Sequence, residues 1–376
     1  MKVALLVFPL HYSHGCILQT YALYSKLKEL GCEVTIFDRQ PDRENVITVG
    51  KRVFKRIGKR LLRGYRGPIF FSGYYPMKIM REQQHFIDKF RNDVVSVYST
   101  MELRESVVAG KFEAIVVGSD QTWRPRNVPN VMDFWLEFAK GLKVRKVAYA
   151  PSFGVDSWEY TEDQAKRCCE LAELFDALSV REESGVKLCQ DNLHIDAIHV
   201  LDPTMLWNKE FYRPFAEAKP MQKGTVNSYF LDKDEKKEAI TNKLAQKLGL
   251  LAVQINTKTE DSNASIKERI APSIEKWLAG FYYGDFIVVD SFHAMVFSIL
   301  FEKPFIVIGN KRRGMARFES LLGELGIKER LITEDDNNYL DIAMQQINWD
   351  DVRNRLDKRR SVCIDFLRKG LSLNLQ

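Results

Sequence analysis

The 376-residue sequence lacks the features that indicate a membrane span, a disulfide-stabilised fold or a zinc site. It contains no run of about 18 uncharged apolar residues, so no segment is predicted to cross a membrane. Its six cysteines form no C-x-x-C pair and have no histidine at zinc-binding spacing, which excludes the common zinc motifs. The simplest interpretation is a reduced, cytoplasmic protein.

Glycine-rich nucleotide motifs are missing as well. No G-x-G-x-x-G follows a predicted strand and no Walker-type loop occurs, so a dinucleotide cofactor is not expected. The chain is nevertheless 45% apolar, which is enough to fill two cores. Its length also predicts two domains, at roughly 150 residues for each domain.

One segment lacks acidic residues altogether. Residues 51–66 hold eight basic side chains, and the rest of the chain carries 48 basic against 50 acidic residues. Apolar residues recur in this segment at helical spacing, with the cations on the other face. Two interpretations are open, a helix lying on an anionic membrane and a solvated helix whose apolar stripe packs on the domain. Nucleic acid is not an expected partner, because the remaining surface is slightly acidic.

Strand and helix patterns alternate through two successive halves of the chain. The turn pair Asp202-Pro203 separates them and predicts a linker or structural hinge. We expect an amino-terminal domain at residues 1–205, a carboxyl-terminal domain at 206–346, and a terminal helix at 347–376 that returns to the first domain. Two such α/β halves predict two Rossmann-like domains that face one cleft.

The clearest βαβ pattern begins at a short apolar run, Phe286–Val289, of the type found in buried parallel strands. An apolar helix, Ala294–Phe301, follows it, and Phe305–Ile308 forms the next strand. Ser291 and His293 therefore lie on the first turn of a helix, where unpaired N–H groups attract anions. The basic cluster at 310–313 leaves the carboxyl end of the next strand and should face the same crevice. The pattern predicts a pocket for a phosphorylated or carboxylated small molecule.

Five stretches of the sequence, in the same order, resemble the polysaccharide pyruvyl transferase family. Two positions differ from the usual family pattern, Ala294 in place of glycine and His14 in place of asparagine. The stretches are residues 14–23, with His-Gly-Cys-Ile-Leu-Gln at their start, 117–123, Val-Gly-Ser-Asp-Gln-Thr-Trp, 179–185, Ser-Val-Arg-Glu-Glu-Ser-Gly, 200–204, Val-Leu-Asp-Pro-Thr, and 290–299, Asp-Ser-Phe-His-Ala-Met-Val-Phe-Ser-Ile.

The resemblance implies a GT-B type fold and an enzyme that needs neither cofactor nor metal. Phosphoenolpyruvate would give its pyruvyl group to a sugar bearing two nearby hydroxyls, forming a cyclic ketal and releasing phosphate. The acceptor would be a lipid-linked saccharide of capsule or exopolysaccharide synthesis, and residues 51–66 would hold the enzyme on the inner face of the membrane. Two alternatives remain open, a nucleotide-sugar glycosyltransferase, with Glu275 or Asp285 as candidate ribose ligands, and a non-catalytic saccharide-binding protein.

The resemblance also implies roles for individual residues. His293 and Asp120 are the catalytic candidates, and either His293 or an acid of the first domain would protonate the donor. The set expected to bind phosphoenolpyruvate is Arg181, Ser291, His293, Lys311 and Arg312. The set expected to bind the acceptor is His14, Gly15, Ser119, Gln121 and Trp123. Capping roles remain open for Ser291 and Asp120, and Arg317 is interpreted as a solvated helix residue.

Overall fold

The structure is a computed structural model, and it describes residues 1–10, 13–43, 46–63, 78–232, 234–259, 261, 264–309 and 314–373. The first half of the chain forms a parallel sheet whose strands are β1 Lys2–Val7, β2 Glu33–Arg39, β3 Val94–Val97, β4 Ala114–Val117, β5 Arg145–Ala148, β6 Ala177–Val180 and β7 Ile198–His199. Its helices are α1 His14–Glu29, α2 Val46–Arg63, α3 Arg81–Ile87, α4 Thr100–Gly110, α5 Val131–Phe134, α6 Glu162–Ala172 and α7 Glu183–Leu193.

The second half forms another parallel sheet. Its strands are β8 Thr225–Tyr229, β9 Leu251–Gln254, β10 Phe286–Val289, β11 Phe305–Ile308 and β12 Leu331–Ile332. Its helices are α8 Lys209–Glu217, α9 Glu235–Leu248, α10 Ile266–Arg269, α11 Ile274–Tyr283, α12 Phe292–Leu300, α13 Ala316–Glu324 and α14 Tyr339–Met344. The last helix, α15, spans Trp349–Gly370.

Both sheets have the strand order of doubly wound α/β folds. The described order is β3-β2-β1-β4-β5-β6-β7 in the first sheet and β12-β11-β10-β8-β9 in the second. In the first sheet, β2 and β3 are added on one side of β1 and β4 to β7 on the other side. In the second sheet, β9 is added on one side of β8 and β10 to β12 on the other. The strand order therefore reverses between β1 and β4, and between β8 and β10. Crevices open at such reversal points, outside the carboxyl ends of the strands. The predicted pair of Rossmann-like domains facing a cleft is confirmed.

The buried strands form where the sequence has continuous apolar runs. β10 and β11 are buried at every residue, because helices cover both faces of the sheet. The predicted bounds of β10 and β11 are confirmed. The last strand of the first sheet, β7, is short, and Ile198 and His199 pair with β6.

Helix α15 packs on the first sheet although it follows the second sheet in the chain. Its Gly370 lies so close to β5 and β6 that an added Cβ would be 2.9 Å from Ala177 and 3.3 Å from Val147. The Cys363 thiol accepts a hydrogen bond from the Leu201 N–H at 3.2 Å. One apolar core accordingly contains buried residues from both halves and from α15.

Helix α2 coincides with most of the basic segment predicted at 51–66, and residues 64–66 lie outside the described chain. None of the described helices is long and apolar enough to cross a bilayer.

Candidate active site

A cavity of about 650 Å³ lies between the two points where the strand order reverses. Its wall combines residues that follow β1 and β4 with residues that follow β8 and β10, as expected for a site between two doubly wound sheets. The lining residues are Phe8, Ser13, His14, Gly15, Asp120, Gln121, Arg124, Arg126, Asn127, Tyr229, Leu231, Trp277, Asp290, Ser291, Phe292, His293, Arg317 and Phe318.

The His293 imidazole, on the first turn of α12, crosses the cleft to contact the first turn of α1. A Cβ built on Gly15 would lie 2.1 Å from His293 Nδ1 and 2.4 Å from Cγ. A side chain larger than hydrogen at position 15 is therefore incompatible with this position of the ring. The absence of a side chain on Gly15 thus sets where the imidazole lies.

Asp202 holds the other edge of the His293 ring. Its buried Oδ2 lies 3.6 Å from His293 Nε2 and accepts a hydrogen bond from Arg181 Nη1 at 2.9 Å and another from the Gln19 amide. The Oδ1 atom accepts from the Thr204 N–H at 3.0 Å and from its hydroxyl at 2.6 Å. Burial alone would raise the pKa of Asp202, but His293 and Arg181 hold that pKa well below its usual range.

Arg181 lies one layer behind the cavity wall and does not line the cavity. Its guanidinium is buried, 3.6 Å from the Asp120 carboxylate and 5.0 Å from the centre of the Phe292 ring. Burial opposes its charge, yet Asp202 and Asp120 raise its pKa. Two of its nitrogens, Nε and Nη2, have no hydrogen-bond partner among the described residues. Asp120 and Phe292 therefore separate Arg181 from a ligand in the cavity.

Arg317 is a cation of the cavity wall that sequence reasoning missed, as are Arg124 and Arg126, which form ion pairs with Glu159. The interpretation of Arg317 as a solvated helix residue is wrong, because only 8% of the residue is exposed and its guanidinium stacks 5.5 Å from the Phe292 ring centre. Burial, together with the nearby charge of Arg181, lowers the pKa of Arg317 to about 10. Its charge nevertheless persists at neutral pH, on a largely buried side chain of the cavity wall.

The first turn of α12 faces the same space. Ser291 occupies the N-cap position, but within the described chain its hydroxyl makes no capping hydrogen bond. The role of Ser291 as a side-chain cap is therefore not found. Ser291, Phe292 and His293 all line the cavity, and the first turn of a helix favours an anion. The carboxylate of the neighbouring Asp290 forms an ion pair of 2.9 Å with the buried Lys237.

The residues after β4 divide between the cavity and the core. Asp120 lines the cavity with a left-handed backbone, φ 84°, and its Oδ1 accepts from the Gln121 N–H at 2.8 Å. Gln121 also lines the cavity, and its Oε1 accepts from Arg124 at 3.0 Å. Ser119 lies behind them, donating to the Ala150 carbonyl at 2.6 Å. Asp120 and Gln121 thus line the cavity, together with Arg124, Arg126 and Asn127 further along the same loop, whereas Ser119 does not.

His14 connects the two halves at the edge of the cavity. Its Nε2 lies 2.7 Å from the Pro272 carbonyl oxygen, and its ring stacks on Trp277 with centres 5.2 Å apart. The short contact with the carbonyl assigns the proton to Nε2. Burial lowers the pKa of His14 from 6.5 to about 4, so the side chain is neutral at physiological pH.

Trp123 does not reach the cavity, and its predicted role as a stacking platform for a sugar is replaced by a core role. Its indole is fully buried, stacks on Trp135 at 3.9 Å between ring centres, and donates to the Phe134 carbonyl at 3.0 Å. The indole therefore has no free face for a ligand.

Two predicted phosphoenolpyruvate ligands, Lys311 and Arg312, lie outside the described residues. Among the residues that are described, no group of three or more histidine, cysteine or acidic side chains is arranged to hold a metal ion.

A second cavity of about 620 Å³ lies at the opposite, amino ends of β6 and β7. Its described lining includes four acidic side chains and one lysine, which would repel an anionic donor. Of these two cavities, the first is therefore the one that favours phosphate chemistry. The four acids are Glu173, Asp176, Asp196 and Asp365.

Comparison with known families and structures gives one family match and several matches of fold. The family model described as polysaccharide pyruvyl transferase matches residues 14–312, which is most of the chain. The search of curated proteins gives no match.

Two solved structures illustrate the fold. UGT89C1 from Arabidopsis thaliana, complexed with quercetin, has a TM-score of 0.51 at 10% identity, with 96% of this chain and 94% of that chain covered. A putative UDP-N-acetylglucosamine 2-epimerase from Listeria monocytogenes has a TM-score of 0.50 at 9% identity, with 96% and 90% covered. At this identity the similarity shows the fold, which is of the GT-B type.

Proposed function

This chain belongs to the polysaccharide pyruvyl transferase family, and on that premise we propose that it transfers the pyruvyl group of phosphoenolpyruvate to a saccharide. Two hydroxyls of the sugar replace the phosphate on C2 of the donor and form a cyclic ketal. One hydroxyl proton ends on C3, which becomes a methyl group, and the other leaves with phosphate. The reaction is balanced without an oxidant, a reductant or a further substrate.

The observation that carries this proposal is that His293 lines one cavity together with the buried Arg317 and the first turn of α12. Arg317, the Ser291 hydroxyl and the first turn of α12 provide positive charge and hydrogen-bond donors on one side of the cavity. Donors of this kind match the phosphate and carboxylate of phosphoenolpyruvate. Binding both anionic groups there would leave C2 and C3 of the donor near His293.

His293 is proposed as the group that moves a proton. The Asp202 carboxylate lies 3.6 Å from Nε2, and the absence of a side chain on Gly15 lets the ring lie against the cavity wall. An imidazolium in this position would protonate C3 of the donor or the departing phosphate. In either case Asp202 acts through His293 and does not itself contact the substrate.

Asp120 is proposed to accept the proton of an attacking sugar hydroxyl. Its carboxylate lines the cavity on the side of the first sheet, opposite α12. The Arg181 guanidinium lies 3.6 Å from this carboxylate. Donor and acceptor would thus bind between the two halves, with His293 on one face of the reacting carbon and Asp120 on the other.

The reaction is tested by incubating the purified protein with phosphoenolpyruvate and a panel of lipid-linked sugars. Phosphate release and the mass of one pyruvyl ketal on the sugar should appear together and depend on both substrates. Phosphate release without acceptor modification would contradict the transfer step.

Two variants test the site, with a third as a matched control. Loss of turnover is expected for His293→Ala and for Asp120→Asn. Asparagine is chosen at position 120 because it removes the charge while tolerating the left-handed backbone. His85→Ala removes an exposed histidine of α3 and should retain turnover. Near-normal turnover in both site variants would show that the catalytic groups lie elsewhere.

The alternative activity is that of a nucleotide-sugar glycosyltransferase on the same fold. Of the two candidate ribose ligands, Asp285 faces the amino end of β8, where it accepts from the Gly224 N–H at 2.6 Å. This position is at the opposite edge of the sheet from the cavity. Glu275, on the first turn of α11, does not line the cavity. Thermal stabilisation by a nucleotide sugar, with none by phosphoenolpyruvate, would favour this alternative.

A further inference from the structure

We propose that helix α2 is a docking surface for a phospholipid bilayer that contains anionic lipids. The inference rests on the proposed function to the extent that a lipid-linked acceptor is presented at a membrane. The evidence for the surface itself comes from the exposure of α2, its charge and the places where the chain enters and leaves it.

The apolar side of α2 is exposed or only partly covered in the part of the chain that the structure describes. Val49, Val53 and Ile57 recur every four residues and so share one face, and Phe54 stands beside them. Phe54 is 78% exposed and Val49 is 37% exposed. None of the described side chains of α2 is buried, although the helix is long enough for five turns. An amphipathic helix left in this state indicates an apolar surface that something outside the domain covers.

The charge of α2 selects the partner. Its sequence contains seven basic residues and no acidic residue, whereas the chain outside residues 51–66 is slightly acidic. Lys51, Lys55 and Arg60 are exposed; Lys51 and Lys55 lie on the polar side of the helix, and Arg60 lies one turn beyond Ile57. A helix with cations around an exposed aromatic side chain can insert its apolar side while the cations contact anionic headgroups. Nucleic acid would use the cations but would leave the exposed apolar face unexplained.

Both flanks of this segment lie at the cleft. The chain enters α2 from the carboxyl end of β2, at the same edge of the sheet as the carboxyl end of β1, which borders the cavity. It returns at Ile79, whose carbonyl accepts from the Ala271 N–H at 2.9 Å. The next residue, Pro272, bonds His14 at the cavity edge. The described chain on either side of the segment that contains α2 is therefore close to the cavity, and we expect a membrane bound through α2 to lie on that side of the protein.

The test is co-sedimentation of the full-length protein with vesicles of neutral phosphatidylcholine, with and without phosphatidylglycerol. We expect binding to the anionic vesicles only, and weaker binding as salt is raised. Lys51→Gln combined with Lys55→Gln and Arg60→Gln should weaken binding on the order of a hundredfold, because each cation contributes about fivefold. Phe54→Ser should weaken it as well, without changing the net charge.

A matched control removes three exposed lysines elsewhere, through Lys166→Gln, Lys243→Gln and Lys247→Gln. Binding should then equal that of the natural sequence. Equal binding to neutral and anionic vesicles, equal weakening by the control, or no binding at low salt would each overturn the proposal. Binding to RNA that Phe54→Ser leaves unchanged, with no binding to vesicles, would assign α2 to nucleic acid instead.

Catalysis and docking are separated by using two acceptors, one embedded in vesicles and one with a short water-soluble lipid. The α2 variants should lose turnover with the embedded acceptor and retain it with the soluble one. If the natural protein turns over neither acceptor yet binds anionic vesicles, the proposed function fails and the docking surface stands. If the natural protein turns over both acceptors but binds no vesicles, the proposed function stands and the docking surface fails.

Discussion

Replacing Gly15 with alanine tests the position of His293 without touching its chemistry. The added Cβ would lie 2.1 Å from Nδ1, 2.4 Å from Cγ and 2.6 Å from Cε1, against an ordinary contact of 3.4–4 Å. The imidazole must therefore move by more than about 1 Å. Displacing a catalytic group by about 1 Å lowers a rate by about a hundredfold. We expect a loss of that size in kcat for ketal formation.

The free energy of unfolding of Gly15→Ala should rise slightly or stay unchanged, although its kcat falls. Residue 15 lies in the first turn of α1, where helix propensity favours alanine over glycine by up to about 1 kcal/mol. A global folding defect would lower activity and stability together. Gly15→Ala is expected to lower activity alone, as measured by urea denaturation and by phosphate release on the same preparation.

Gly323→Ala is the matched control, because residue 323 also lies in a helix and an added Cβ there meets nothing within 4 Å. It should keep full activity. In the His293→Ala background, Gly15→Ala should cause little further loss, since the displaced group is already gone. Unchanged kcat for Gly15→Ala, or the same loss with and without His293, would refute the reasoning.

Three further predictions concern His14, Arg317 and Trp123. Burial lowers the pKa of His14 from 6.5 to about 4, so only the unfolded chain gains a proton between those values and stability is lost as pH falls. Lowering the pH from about 7 to about 5 should reduce the free energy of unfolding by about 2 kcal/mol. In urea titrations, the free energy of unfolding of His14→Gln should depend less on pH than that of the natural sequence. Arg317→Gln should weaken phosphoenolpyruvate binding by about ten- to a hundredfold in calorimetry, the range expected for a lost charge-assisted hydrogen bond. Arg353→Gln, an exposed control, should bind normally. Trp123→Phe should lower the free energy of unfolding by about 2 kcal/mol but leave the KM for the acceptor unchanged, and a raised KM would return the indole to the site.

The sequence predicts those elements whose physical cause is local. Continuous apolar runs predict β10 and β11, because both faces of these strands are buried. β3 carries no such pattern, since it lies at the sheet edge and Val95 is 39% exposed. β12 has only two residues, too few for any periodicity to be visible.

The site is predictable where it follows the ends of strands. The rule that strand ends meet at one edge selects His14, Asp120, Ser291 and His293, all of which line one cavity. It also selects Trp123, whose side chain packs in the core and does not reach the cavity. Only tertiary packing distinguishes a strand-end aromatic that faces a ligand from one that faces the core.

Asp202 and Arg317 are not predictable from local pattern. Asp202 does form the expected turn, because its Oδ1 accepts from the Thr204 N–H at 3.0 Å. Its other oxygen meets His293, which is distant in sequence, and no local signal reveals that contact. Arg317 belongs to an ordinary amphipathic helix, and its guanidinium is buried in the cavity wall only because of how the two halves are arranged.

The return of α15 to the first sheet has a consequence for synthesis on the ribosome. Domains usually fold one after another as the chain emerges, the amino-terminal one first. Here Val147 and Ala177, in the first sheet, are covered by Gly370, and the Leu201 N–H obtains its partner from Cys363. The surface beneath α15 therefore stays uncovered until the second sheet has been translated. We therefore expect the first half to remain an incomplete nascent domain, with part of its apolar surface open to water, until α15 has left the ribosome.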